Sequence, residues 1–182
     1  MTTIRPLLLA ALLAAGCSTS RWYDYRFSPA PLEAQIETEA DPQAQVRALV
    51  TVRGVSRGRE DDPDAVEVRM RLENLGRVPA RLVAESLSLV SADLDTFGPA
   101  RVRPDAAAPI APGASATYDL SFPLPAGREP KELNLRGLNL RWATSFEGRE
   151  VTTGASFQHD VPVRVYREEP RFHLGVGVGT HF

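Results

Sequence analysis

The sequence predicts an all-β domain built as a single antiparallel sandwich. Apolar and polar residues alternate with a period of two in several separate segments, which is typical of half-buried strands. Turn residues separate these segments at intervals of about 8–12 residues, as in two-layer β proteins. No stretch after residue 17 sustains the 3.6-residue period of an amphipathic helix, so an alternating α/β fold is disfavoured.

The first predicted strands show the clearest alternation. In Ala44–Arg53 and Val66–Glu73, small or branched apolar residues alternate with mostly charged ones. The charged segment Ser56–Asp64 is a predicted loop between them. Asn74-Leu75-Gly76 then predicts a turn, after which the chain returns through Val78–Val83.

The second half of the domain contains further predicted strands, separated by irregular segments rich in Pro and Gly. The irregular segment Asp93–Ala111 contains three prolines, which disfavour a central strand. We expect Gly137 to form a β-bulge, because the alternation changes phase there, and Glu147-Gly148 to form a hairpin turn. The predicted strands are Ser86–Ser91, Thr117–Phe122, Leu133–Phe146, Val151–Phe157 and Val161–Tyr166.

Two turn motifs carry a resemblance to a known architecture. The run Asn74-Leu75-Gly76-Arg77-Val78-Pro79-Ala80 is an asparagine-led turn, and Pro112-Gly113 within 110–123 precedes an alternating strand. This arrangement resembles the immunoglobulin-like domains of secreted and envelope proteins. The resemblance covers about residues 44–167 and implies an immunoglobulin-like β-sandwich there. It implies no activity, because one fold hosts many functions.

The N-terminus is typical of an export signal. Arg5 precedes Leu7–Ala15, an unbroken apolar run of nine residues. As a helix, this run would rise about 13 Å, less than half of the ~30 Å hydrocarbon core of a bilayer. The run is therefore predicted to be the apolar region of a signal peptide rather than a membrane span.

Ala14-Ala15-Gly16-Cys17 overlaps the end of this run and contains the chain's only cysteine. The motif resembles the bacterial lipobox, in which two small residues precede the lipidated cysteine. The resemblance implies removal of a 1–16 signal peptide and attachment of lipid at Cys17, including fatty acids such as palmitate. The alternative is an ordinary signal peptide cleaved elsewhere, with Cys17 incidental. Because Ser18 replaces the usual aspartate of inner-membrane retention, the resemblance implies an outer-membrane protein facing the periplasm.

Residues 17–43 are predicted to be a lipid-anchored tether that carries an aromatic arm. The arm, Trp22–Phe27, concentrates large aromatic residues; Arg21 precedes it and Arg26 lies within it. The arm could lie in the lipid headgroup zone, which Trp and Tyr favour, or pack onto the domain as a short strand. Leu32–Ala40 is expected to form a short helical turn. The candidate partner-binding residues of the arm are Trp22, Tyr23, Tyr25 and Phe27.

Searches for catalytic, cofactor and nucleic-acid signatures find little. The sequence contains no Gly-x-Ser-x-Gly, Ser-x-x-Lys, His-Glu-x-x-His or P-loop motif. Gly175-Val176-Gly177-Val178-Gly179 is not followed by residues that could form a phosphate-binding helix. A formal net charge of −2 disfavours nucleic acid as a partner, and one cysteine excludes a cysteine zinc cluster. We therefore expect no enzyme activity, no cofactor and no metal.

The rival hypothesis is a metal-dependent binder or enzyme. It would use His159 and Asp160 together with the acidic segment Glu60-Asp61-Asp62-Pro63-Asp64. Neighbouring residues of a strand point to opposite faces, which works against cooperation between His159 and Asp160. The acidic segment also lacks the alternate spacing and central glycine of an EF-hand, which favours a solvated loop.

The C-terminal segment, 168–182, is a predicted Gly-rich strand or tail. Its apolar residues alternate with glycine and histidine, and three interpretations remain open. It could be a last sandwich strand or frayed tail, or it could add to a strand edge of an envelope partner. It also resembles the aromatic-ending terminal strand of outer-membrane barrel proteins, which assembly machinery recognises. The candidate partner-binding residues here are Phe172, Leu174, Val176, Val178 and Phe182.

Together these features predict a lipoprotein whose sandwich is a non-catalytic binding or scaffolding module of the cell envelope. Its expected partners are the membrane, through the anchor at Cys17, and an envelope protein. A purely structural envelope component is a further alternative.

Overall fold

A computed structural model describes residues 22–38, 41–58 and 62–160 of the chain. Within these residues, all paired strands are antiparallel and form two sheets, which confirms the predicted all-β sandwich. A short 3-10 helix spans Pro130–Glu132. The strands are β1 (Phe27–Ser28), β2 (Leu32–Thr38), β3 (Asp41–Ser56), β4 (Ala65–Asn74), β5 (Ala80–Ser91), β6 (Arg101–Arg103), β7 (Ser115–Pro123), β8 (Gly137–Phe146) and β9 (Arg149–His159).

The five-stranded sheet has the order β2-β3-β4-β7-β6. Its inward face follows the predicted alternation, because side chains two residues apart on a strand share a face. Val50, Met70 and Tyr118 are register partners on β3, β4 and β7, and all three are buried. Their burial against the opposite sheet supplies the hydrophobic stabilisation of this layer.

The four-stranded sheet has the order β1-β9-β8-β5. Leu138, Leu140 and Trp142 alternate along β8 and are completely buried. Glu147 and Gly148 connect β8 to β9, and both have positive φ angles, 50° and 88°. Phe146 pairs with Arg149, so this is a two-residue hairpin loop that matches the twist of its strands, and the predicted hairpin turn is confirmed.

Three local predictions were wrong. Leu32–Ala40 was expected to form a helical turn, but Leu32–Thr38 is strand β2, paired with β3. A helix this short is marginal by itself, whereas pairing satisfies the backbone and buries Ile36. Gly137 was expected to form a bulge, but it begins β8, and the pairing with β9 is continuous. Leu133, expected on the same strand, lies in the segment before it.

The sandwich includes strands that come before residue 44. Both β1 and β2 lie within residues 17–43, the segment predicted to be a tether. β1 pairs with the end of β9, and β2 forms the edge of the five-stranded sheet. The chain therefore joins the folded domain soon after the predicted anchor.

Candidate functional site

The aromatic arm, Trp22–Phe27, lies against the sandwich. The backbone N–H of Tyr23 donates to the carbonyl of Val55 at 2.9 Å, and Trp22 forms a β-bridge with Ser56. Phe27 begins β1 and is only 4% exposed, so it belongs to the core, and the half-buried Tyr23 and Tyr25 pack against that core. Trp22 remains 37% exposed and is the most accessible aromatic side chain of the arm.

A glycine bulge in β3 makes room for this arm. The pairing of β3 with β4 shifts register between Val52 and Gly54, and Gly54 has a φ of 130°. A Cβ atom at residue 54 would lie 3.1 Å from the carbonyl oxygen of Tyr25 and 3.6 Å from the ring of Trp22. Glycine is therefore required here both by its backbone conformation and by the close approach of the arm.

The arm is also tied to the loop that precedes β4. The hydroxyl of Tyr23 donates to Asp64 Oδ2 at 2.7 Å, and the backbone N–H of Gly58 donates to Asp64 Oδ1 at 2.9 Å. The hydrogen bond to Asp64, with burial second, raises the pKa of the Tyr23 phenol above its ordinary value of 10.0. Arg57 lies over the same ring, 4.6 Å from its centroid. Asp64 therefore fixes the arm and the loop together.

A groove rich in arginine opens beside Trp22. We call it the arginine groove, because Trp22 shares its lining with four arginine side chains from the end of β3 and from β6. Arg53 lies over the Trp22 ring, 5.4 Å from the centroid, at cation–π distance. The arginines of the groove are Arg53, Arg57, Arg101 and Arg103.

Two carboxylates of the arginine groove are held by arginines. Arg101 donates to Asp62 at 2.8 Å. Asp119 accepts from Arg69 at 2.8 and 3.1 Å and lies 3.9 Å from Arg53. The hydrogen bond from Arg69 lowers the pKa of Asp119 below its ordinary value. These pairs partly neutralise Arg53 and Arg101.

Arg57 and Arg103, the other two arginines of the groove, differ from Arg53 and Arg101 in their ion pairing. Glu67, the third acidic side chain of the lining, accepts hydrogen bonds from Ser56 at 2.7 Å and Ser121 at 3.1 Å. Within residues 22–38, 41–58 and 62–160, no carboxylate lies at ion-pair distance from Arg57 or Arg103. Both side chains are exposed, and a guanidinium group presents paired N–H donors that match the oxygens of a phosphate or carboxylate.

His159 and Asp160, the candidate catalytic or metal-binding pair, have different partners. The His159 ring packs against Tyr25 and Phe27, at centroid distances of 5.0 and 5.7 Å. Asp160 Oδ2 instead accepts a hydrogen bond from the Ser28 hydroxyl at 2.6 Å. Both residues therefore help to hold the arm and β1 against the end of β9.

A second open cleft lies beside Tyr25. Tyr25 and His159 line it together with Asp93 and residues 131–136. Asp93 accepts a hydrogen bond from Asn134 at 2.9 Å. The cleft therefore presents mixed charges around an aromatic edge, without the concentration of arginine that marks the arginine groove.

The described part of the chain provides no cluster of three or more His, Cys, Asp and Glu side chains placed to hold a metal ion. Of the acidic segment 60–64, Asp62 and Asp64 are described, and they bind Arg101 and Tyr23. In the same described ranges, no helix has the length and apolar character needed to cross a bilayer.

Several predicted features lie outside the described residues. They include the signal peptide 1–16, the predicted strand Val161–Tyr166 and the C-terminal segment 168–182. The candidate site residues among them are Cys17, Phe172, Leu174, Val176, Val178 and Phe182.

Neither the arginine groove nor Gly54 was predicted from the sequence. A glycine within the alternating segment at residues 44–56 was an available signal for a bulge. The arginines gave no such signal, because they are spread over residues 53–103 in a chain rich in arginine.

Comparisons with known proteins show no family. No family model matches the chain, and no curated protein matches it. Among solved structures, the chain is similar to an X-ray structure described as Northeast Structural Genomics Consortium target SoR45. The two are 14% identical, with 82% of this chain and 96% of that chain covered and a TM-score of 0.36.

Proposed function

We propose that this chain is an outer-membrane lipoprotein, anchored through Cys17, whose sandwich is a non-catalytic binding or scaffolding module facing the periplasm. The observation that carries the proposal is the motif Ala14-Ala15-Gly16-Cys17 at the end of an apolar segment of signal-peptide length. The fold is compatible with it, because the chain joins the sandwich at Trp22, five residues after Cys17.

Contacts of the rival candidate residues support a non-catalytic role. His159 packs on the aromatic arm, and Asp160 binds Ser28. Asp64 holds Tyr23, and Asp62 holds Arg101. These polar side chains are thus engaged in holding loops and the arm on the sandwich.

Metabolic labelling with palmitate tests the anchor. The natural chain should incorporate label and fractionate with outer membranes, and Cys17→Ser should abolish both. Ser18→Asp is the matched control, because it keeps Cys17: this variant should retain the label and move to the inner membrane. Label that persists in Cys17→Ser would refute the proposal.

A protein partner is tested separately. Asp160 donates its backbone N–H to the carbonyl of Arg26 at 2.8 Å, so the last described residue lies beside the arm. We propose that the segment 172–182 binds an envelope protein. Crosslinking in cells should capture a partner with the full chain and lose it when 171–182 is deleted. Equal capture by both chains would refute this role of the segment.

A further inference from the structure

The distance from the anchor to the folded domain is short. Cys17 and Trp22 are five residues apart, and an extended chain spans at most about 3.6 Å per residue, so they lie within roughly 18 Å of each other. Trp22 and Tyr23 are fixed to the end of β3 by backbone pairing with Ser56 and Val55. A lipid on Cys17 therefore places this end of the sandwich, and the arginine groove with it, next to the bilayer.

The side chains at this end suit the headgroup layer. Tryptophan concentrates at membrane interfaces because its ring is apolar and its N–H is polar. Trp22 is exposed there, with the Arg53 guanidinium over its ring. The guanidinium groups of Arg57 and Arg103 are planar, and their paired N–H donors match the oxygens of a phosphate. No described carboxylate forms an ion pair with either arginine.

We propose that the arginine groove is the membrane-contact surface of this protein. Trp22 lies in the headgroup zone, and Arg57 and Arg103 bind the phosphates of the phospholipids that surround the anchor. This inference rests on the proposed lipid anchor at Cys17. A membrane contact at the arginine groove also fixes the orientation of the domain. The arm pairs near the His159 end of β9, and the hairpin at Glu147–Gly148 lies at the opposite end. The hairpin therefore points away from the bilayer.

Tryptophan fluorescence tests the contact directly. The sequence has two tryptophans, and Trp142 is fully buried, so a quencher in the headgroup layer should reach Trp22 alone. The full chain, purified from membranes of cells that express it, is reconstituted into vesicles of phosphatidylcholine and phosphatidylglycerol, with spin-labelled headgroups as quenchers. We expect a blue shift and loss of the Trp22 emission. Trp22→Phe should leave only the unquenched emission of Trp142.

Charge variants test the role of the groove. Replacing Arg57 and Arg103 together with glutamine should restore most of the Trp22 emission while the protein remains on the vesicles. Arg141→Gln removes an exposed arginine from the four-stranded sheet and should leave quenching unchanged. Quenching equal to the natural protein in the double variant would overturn the role of the arginines.

Flotation of the same vesicles separates the two proposals. Protein that floats but shows an unquenched Trp22 would overturn the contact surface and leave the lipid anchor standing. Protein that does not float would instead overturn the anchor at Cys17, on which the proposed function depends.

Discussion

The phenol of Tyr23 donates a 2.7 Å hydrogen bond to Asp64, a residue 41 positions away in the chain. This contact joins the aromatic arm to the loop before β4. It gives Asp64 a structural role, because the same carboxylate also accepts the backbone N–H of Gly58. One carboxylate thus fixes both the start of the folded domain and the rim of the arginine groove.

Removing this hydrogen bond should weaken the domain measurably. We expect Tyr23→Phe to lower the free energy of unfolding by about 1 kcal/mol, as for a typical partly buried hydrogen bond. A double-mutant cycle with Asp64→Ala, which removes the acceptor, should give a coupling of about the same size when measured by urea denaturation. Tyr25→Phe is the control and should change stability less. A coupling of zero would contradict the assigned bond.

The same phenol predicts a loss of stability in alkali. Its pKa is raised in the folded state above the ordinary value of 10.0, so the unfolded chain releases the proton first as pH rises. The contribution of Tyr23 is therefore complete below pH 10.0 and lost as pH passes the folded-state pKa. Urea unfolding of the natural chain and of Tyr23→Phe should show a constant difference in the free energy of unfolding below about pH 10.0. The difference should shrink as pH rises from there through the folded-state pKa. A difference independent of pH would contradict this assignment.

Gly54 should not tolerate alanine. Gly54 has a positive φ, and an added Cβ atom would lie 3.1 Å from the carbonyl oxygen of Tyr25. We therefore expect Gly54→Ala to lower the free energy of unfolding by about 2–3 kcal/mol. Acrylamide should also quench Trp22 more strongly, because the arm must move away. Gly154→Ala is the matched control: a Cβ there meets ordinary contacts at 3.6 and 3.8 Å, and the change should cost much less. Equal effects at both glycines would contradict the role of the bulge.

The hairpin at Glu147 and Gly148 offers a stabilising substitution. Glutamate rarely adopts the positive φ of 50° found at residue 147, whereas Asn-Gly is favoured in such turns. We expect Glu147→Asn to raise the free energy of unfolding by about 0.5–1 kcal/mol. Gly148→Ala should lower it by about 1 kcal/mol through backbone strain alone, because a Cβ there touches nothing within 4 Å. Chemical denaturation of both variants checks the opposite signs.

Asn74 should be the most sensitive buried polar residue of the sandwich. Its amide nitrogen donates to the carbonyls of Val78 at 2.8 Å and Ile110 at 2.9 Å, and its side-chain oxygen accepts the N–H of Gly76 at 3.0 Å. Asn74→Ala removes all three side-chain hydrogen bonds from two backbone carbonyls and one backbone N–H. We expect it to lower the free energy of unfolding by about 3 kcal/mol. Asn139→Ala is the control, because it removes only one exposed hydrogen bond, the one from Ser156. Urea denaturation should show that it lowers the free energy of unfolding by less than about 1 kcal/mol.

Local sequence signals predicted most of the strands and turns. Val46, Val50 and Met70 alternate with polar residues, and they are buried as expected. The turn at Asn74-Leu75-Gly76 and the hairpin at Glu147-Gly148 also follow from residue type, because turns depend on neighbouring dihedral angles. β2 was missed because its partner strand, rather than its own propensity, decides its conformation.

The candidate site was less accessible to sequence reasoning. The aromatic arm was noticed, but its contacts with Gly54 and Asp64 depend on the bulge in β3 and on the loop before β4. His159 was considered for catalysis, yet its position against Tyr25 and Phe27 follows from the pairing of β1 with β9. Such contacts join residues far apart in the chain, so no local pattern encodes them.

The sequence by itself determined the alternating strands and the tight turns, because hydrophobic periodicity and dihedral preference act over a few neighbouring residues. The expected lipid anchor also comes from sequence alone. Only the tertiary structure decided that Trp22 and Arg103 line one groove, because the pairing of β3, β4, β7 and β6 in one sheet brings these distant segments together. The physical reason is that burying two apolar sheet faces fixes the strand order, and the strand order places the polar side chains at the ends and edges.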